Sequence, residues 1–92
     1  MVTGEIILAN SLTLEQIEER VRKVVCSQLG VEPEEVNPGS QFVDDLGADS
    51  LDLTELAIAF EDEFELEIPE SDFGKLSTVA NVVSYLNGRL NG

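Results

Sequence analysis

Histidine and tryptophan are absent from this chain, and cysteine occurs once. Without histidine there is no Ser-His-Asp triad, no histidine general base and no His-bound metal. The single cysteine, Cys26, rules out an intrachain disulfide. Basic residues are scarce as well: 5 Lys and Arg face 19 Asp and Glu, for a net charge of −14, and none lies between Val24 and Gly74. Such a surface repels phosphate backbones, which excludes nucleic acid as a partner. It favours partners with basic docking patches, reached by electrostatic steering. No apolar run approaches the roughly 20 residues that span a bilayer. The N-terminus lacks the basic flank and long apolar core of a secretory signal. A cytoplasmic monomer with no membrane insertion is therefore expected.

What is present is apolar periodicity. The chain has 92 residues, 42% of them hydrophobic, which suits one small domain. Residues 1–12, with the short run Ile6-Ile7-Leu8-Ala9, read as an appendage, and residues 13–90 as the domain. A first helix runs from Ser11 or Thr13 to Leu29. Thr13 with Gln16 forms a capping box, Leu14, Ile17, Val21 and Val24 or Val25 form the apolar stripe, and Gly30 is the stop. Cys26 falls towards the polar flank as a small packing residue, since nothing in the sequence around it activates a thiol. From Val31 to Asp49 the chain is a long connection broken by Pro33, Pro38, Gly39 and Gly47, with Val31, Val36, Phe42 and Leu46 as apolar pegs into the core.

A second helix spans Ser50 to about Phe64, with Leu53, Leu56, Ala57, Phe60 and Phe64 on its core face. Glu70 to Leu76 reads as a short helix or turn after Pro69. Val79, Val82, Val83, Leu86 and Leu90 form the stripe of a last helix, capped by Ser77 or Thr78 and frayed at Asn87-Gly88. No strand-like alternation of useful length appears outside the N-terminal run. The expected fold is all-α: a small four-helix bundle of three main helices plus one short helix, with a long first connection.

The chemistry gathers at Asp44-Asp45-Leu46-Gly47-Ala48-Asp49-Ser50-Leu51-Asp52, where an acidic turn becomes a helix. A serine at a helix start presents its hydroxyl beside backbone N–H groups without intrahelical partners, where the dipole favours an anion. Ser50 thus reads as the attachment point of a phosphate-linked arm. Asp49 and Ser50 are also both preferred caps, so capping alone is the plainer role for the pair. On another face of the helix, Leu51 and Ile58 stand among Asp49, Asp52, Glu55, Glu61 and Asp62, an apolar pair in an acidic ring suited to docking.

Two other classes are weighed against this. A dedicated calcium site fails on register: from Asp44, Glu55 falls at position 12, but positions 3 and 5 are Leu46 and Ala48, and position 6 is Asp49 instead of Gly; loose binding of divalent cations to the acidic face stays open. A purely structural adaptor would need no modified serine.

The series Phe42-Val43-Asp44-Asp45-Leu46-Gly47-Ala48-Asp49-Ser50-Leu51-Asp52, Glu55-Leu56, Phe60-Glu61-Asp62-Glu63-Phe64, Glu67-Ile68-Pro69 and Thr78-Val79 closely resembles an acyl carrier protein of the bacterial type, from about Leu14 to Leu90. The resemblance implies a four-helix fold and no catalysis by the chain itself. It implies 4′-phosphopantetheine esterified to Ser50 by a phosphopantetheinyl transferase. It also implies acyl cargo carried as thioesters between acyl-processing enzymes, most readily in fatty-acid biosynthesis. The chain departs from typical members at Thr54, where valine is usual, at Ile58, where methionine is common, and in the bulk of Leu53 and Phe60. These departures also fit a dedicated carrier for a specialised lipid or polyketide.

Overall fold

Thr13 starts the first helix. In the computed structural model, which describes residues 12–91, the Thr13 hydroxyl accepts the Gln16 N–H at 3.1 Å and the Gln16 side-chain Oε1 accepts the Thr13 N–H at 2.9 Å. This capping box opens α1 (Leu14–Leu29), and Gly30 closes it in the left-handed conformation, φ 68°, donating its N–H to the Cys26 carbonyl. Ile17, Val21 and Val25 are fully buried, one turn apart; Val24 is only half-buried, so Val25 is the core valine. Leu14 departs from the expected stripe. It is 56% exposed: the first turn borders a surface groove with Pro38, Val79, Ala80 and Val83, and no element among the described residues roofs it. The Ile6–Ala9 run and Ser11 lie outside the described residues.

The long connection is pinned along its length. Pro33 opens a 3-10 turn, Pro33–Glu35, where its fixed φ and missing N–H cost nothing. Arg22 of α1 donates Nε–H to the Val36 carbonyl at 3.3 Å, and Val36 and Phe42 are buried pegs. Ser40 is buried but satisfied: its hydroxyl accepts the Asn37 N–H and donates to the Glu35 carbonyl. The connection then caps the last helix, α3 (Val79–Asn91). Val79 and Ala80 donate their N–H groups to the carbonyls of Ser40 and Pro38, and Phe42 donates to the Ser77 carbonyl. Asn81 N–H goes to the Thr78 hydroxyl, making Thr78 the side-chain cap. Among the described residues there is no strand, only an isolated antiparallel bridge between Gln41 and Thr78.

Asp49 caps α2 (Ser50–Phe64) by accepting the Asp52 N–H at 2.9 Å, while Asp52 returns the favour to the Asp49 N–H. Leu56, Ala57, Phe60 and Phe64 are buried as expected; Leu53 is half-buried. Glu61 accepts the Ile68 N–H at 2.7 Å and so anchors the turn after α2. A second 3-10 helix, Glu70–Lys75, follows Pro69. α1 packs against both α2 and α3, giving an all-α bundle. α3 does not fray at Asn87-Gly88 but continues to Asn91. Gly88 costs about 1 kcal/mol in a helix; half-buried Leu90 and the Asn91 side chain, which bonds both Asn87 and the Leu12 carbonyl, offset it.

Two stability predictions arise here. Phe42→Ala should lower the unfolding free energy by about 3–5 kcal/mol in urea titration, a large share of what a small domain possesses. Glu65 has φ 55° at the C-terminal end of α2, where both the left-handed backbone and the negative charge are unfavourable. Glu65→Gly should raise the denaturation midpoint, by roughly 1 kcal/mol of stability.

Candidate functional site

The cap and the serine are separate, adjacent residues at the start of α2. Asp49 supplies the cap and Ser50 is the first helical residue. Ser50 is exposed, and among the described residues its hydroxyl has no hydrogen-bond partner. Its carbonyl accepts the Thr54 hydroxyl at 3.2 Å. With the Asp52 N–H taken by Asp49, the first two N–H groups of the helix remain open to an anion. Gly47, at φ 76°, makes the bend that delivers the chain to this point. Ala48 behind it is buried and donates its N–H to the Phe42 carbonyl at 2.8 Å. The phenylalanine peg therefore holds the serine in place from eight residues away.

Ser50 also stands at the edge of an apolar cavity of about 250 Å³. Leu53, Ala57 and Phe60 of α2 form one side, Phe42 another, and Phe73, Gly74 and Leu76 the wall opposite; Thr54 adds a hydroxyl. An enclosed apolar space of ~150 Å³ holds a benzene molecule, so this one has room for an organic chain.

The docking residues fall as follows. Leu51 and Ile58 are 65% and 50% exposed, far above the core leucines. Asp49, Glu55 and Asp62 are exposed, and Asp52 and Glu61 half-buried. Asp52 is engaged in the cap and Glu61 on Ile68, so Glu55 and Asp62 are the acids least committed to the fold. Val43, 52% exposed, is a further apolar surface residue that periodicity did not single out, since it lies in an irregular turn. Among the described residues, no three acidic or thiol side chains gather at metal-ligating geometry.

Two titratable neighbourhoods lie away from Ser50. Burial pushes the Cys26 thiol up, and Glu32, Glu34 and Glu35 push it the same way against Arg22, so it is a poor nucleophile. A hydrogen bond from Tyr85 holds the Asp72 carboxyl below the usual carboxylate range. The Tyr85 phenol is raised, first by burial and then by this acceptor. Nothing in the sequence flagged the Asp72–Tyr85 pair: its members are 13 residues apart on different elements.

No base adjoins Ser50 to activate it, since the chain has no histidine and the Asp49 carboxylate is spent on the cap. A family model described as "Phosphopantetheine attachment site" matches residues 19–86, which take in α2, both 3-10 helices and most of α1 and α3. Members of that family carry covalently attached 4′-phosphopantetheine and catalyse no reaction themselves. With three quarters of its length matched, this chain belongs to the phosphopantetheine-attachment family, as a carrier protein of the acyl carrier type.

Proposed function

We propose that Ser50 is the residue that bears the 4′-phosphopantetheine arm, and that the chain shuttles acyl intermediates between enzymes, first of all in fatty-acid biosynthesis. The observation that carries this reading is the free, exposed Ser50 hydroxyl at the first helical position, relieved of capping by Asp49 and set at the edge of an apolar cavity. The residues fit the group. The open N–H groups of the first turn suit its phosphodiester, and Leu53, Phe60 and Phe73 offer apolar surface for cargo. When bound, the arm supplies a terminal thiol that carries acyl groups as thioesters. Attachment needs the Ser50 proton removed, and the transferase must supply that base. Residues 13–90 act as the carrier domain, working in the cytoplasm as a monomer.

The acidic face of α2 meets basic patches on the transferase and on acyl-processing enzymes. Leu51 and Ile58 add burial worth ~1.5–3 kcal/mol each at most, less the costs of association. Charge complementarity of this kind speeds encounter and permits fast release. A second reading, a carrier dedicated to a specialised lipid or polyketide, is favoured by Thr54 and the bulky Phe60 in the cavity lining.

Ser50→Ala should abolish the mass increase seen on co-expression with a phosphopantetheinyl transferase. It should change stability by less than about 0.5 kcal/mol, because the cap is Asp49, whereas Asp49→Ala should cost ~1 kcal/mol. An unmodified wild-type mass would count against the attachment site. Glu55→Lys and Asp62→Lys should each slow association with the transferase several-fold, more at low salt than at high. On-rates equal to wild type in stopped-flow would remove this face as the docking surface.

A further inference from the structure

One wall of the cavity beside Ser50 has only a partial hold on the core: Phe73 packs against it half-buried, and Leu76, just after, is buried in it. The 3-10 helix Glu70–Lys75 contains no buried residue, yet Phe73 and Gly74 within it, and Leu76 just after it, line the cavity. Among the described residues, a single side-chain hydrogen bond ties this segment to another element: the Tyr85 hydroxyl of α3 donates to Asp72 Oδ2 at 2.6 Å. Tyr85 is itself held from one turn further on. Arg89 donates Nη1–H to the phenol oxygen at 2.9 Å, and its guanidinium lies 5.7 Å from the ring centroid. Lys75 Nζ sits 3.3 Å from the other carboxylate oxygen, inside the same short helix. The result is a chain of polarised donors, Arg89 to Tyr85 to Asp72, ending on a charged acceptor.

We propose that Tyr85 is a positioning residue that latches this wall through Asp72 and thereby sets the length of acyl chain that shelters beside Ser50. The proposal rests on the carrier reading above. With the latch made, the 250 Å³ space admits roughly ten carbons, scaled from the ~150 Å³ that accepts benzene. With the latch broken, Phe73 swings away from Phe60 while Leu76 stays in the core, and the half-open cavity shelters a chain of that size less well. Asp72 is the acceptor that makes the wall answer to α3, and Arg89 orients the phenol.

The test uses Tyr85→Phe, which keeps the ring and removes only the hydroxyl, with Asp72→Ala, Asp72→Asn and the Tyr85→Phe/Asp72→Ala pair. In the unloaded chain, hydrogen exchange of the Leu76 amide, bonded to the Phe73 carbonyl at 3.1 Å, should rise several-fold in Tyr85→Phe and in Asp72→Ala. It should rise no further in the double variant, while Asp72→Asn, which keeps an acceptor for the phenol, stays nearer wild type. Val21 and Val25 amides in α1 should exchange as before. In protein loaded with an octanoyl thioester, Tyr85→Phe should speed hydroxylamine cleavage several-fold; a hexadecanoyl thioester, too long for the latched cavity, should be cleaved alike in both. An unchanged Leu76 amide, additive effects in the double variant, a rise shared by Val21 and Val25, or an unchanged octanoyl cleavage rate would each overturn the latch. Failure to load the arm at all would instead sink the attachment reading, and the exchange measurements would still judge the latch.

Discussion

The structure depends on how an irregular connection is tied to the start of the last helix. Phe42 is buried at the point where the connection crosses α3, and its N–H reaches Ser77 while the carbonyls of Ser40 and Pro38 take the first N–H groups of α3. Neither partner could be buried alone, because each would carry unpaired backbone groups into the interior. Joined, they satisfy one another, and the loop becomes a fixed element. From that fixed point the Phe42 carbonyl holds Ala48, Gly47 turns the chain, and Asp49 and Ser50 arrive at the surface. The site is thus positioned by a loop that is tied to the helices through backbone hydrogen bonds and buried side chains.

Two adjacent residues then separate tasks that one residue could not perform together. A serine that caps a helix spends its oxygen on a backbone N–H; a serine that accepts a prosthetic group must keep it free. Asp49 takes the first task and, among the described residues, leaves the Ser50 hydroxyl free for the second role proposed for it. The same economy of roles runs along α2. Asp52 and Glu61 hold backbone at its two ends, while Glu55 and Asp62 remain as surface charge around Leu51 and Ile58. So much negative charge on one helix repels itself and weakens the folded state. The same field would draw in basic partners, the role proposed for this face.

Much of this was legible beforehand, for a definable reason. The Thr13–Gln16 box, the Gly30 stop and the start of α2 each rest on residues within one helical turn of each other, and local chemistry decides them. The departures share a different cause. Leu14 has the spacing of a core residue but lies where no element among the described residues covers it. Asn87-Gly88 has the chemistry of an end but is carried on by Leu90 and by Asn91 reaching back to Leu12. Asp49 and Ser50 were equally good caps on paper, and the backbone geometry at the loop exit chose between them.

What the chain alone determined was the helical class, the acidic character, the absence of an internal base and the serine at a helix start, since each follows from residue identity and short-range spacing. The family match confirms the carrier assignment on the same footing. Only tertiary structure decided the cavity beside Ser50 and the hydroxyl of Tyr85 that holds its wall to α3. An empty space is the remainder left by several distant elements packing together, and a bond between residues 13 apart on separate elements exists only once those elements meet. No local pattern encodes either.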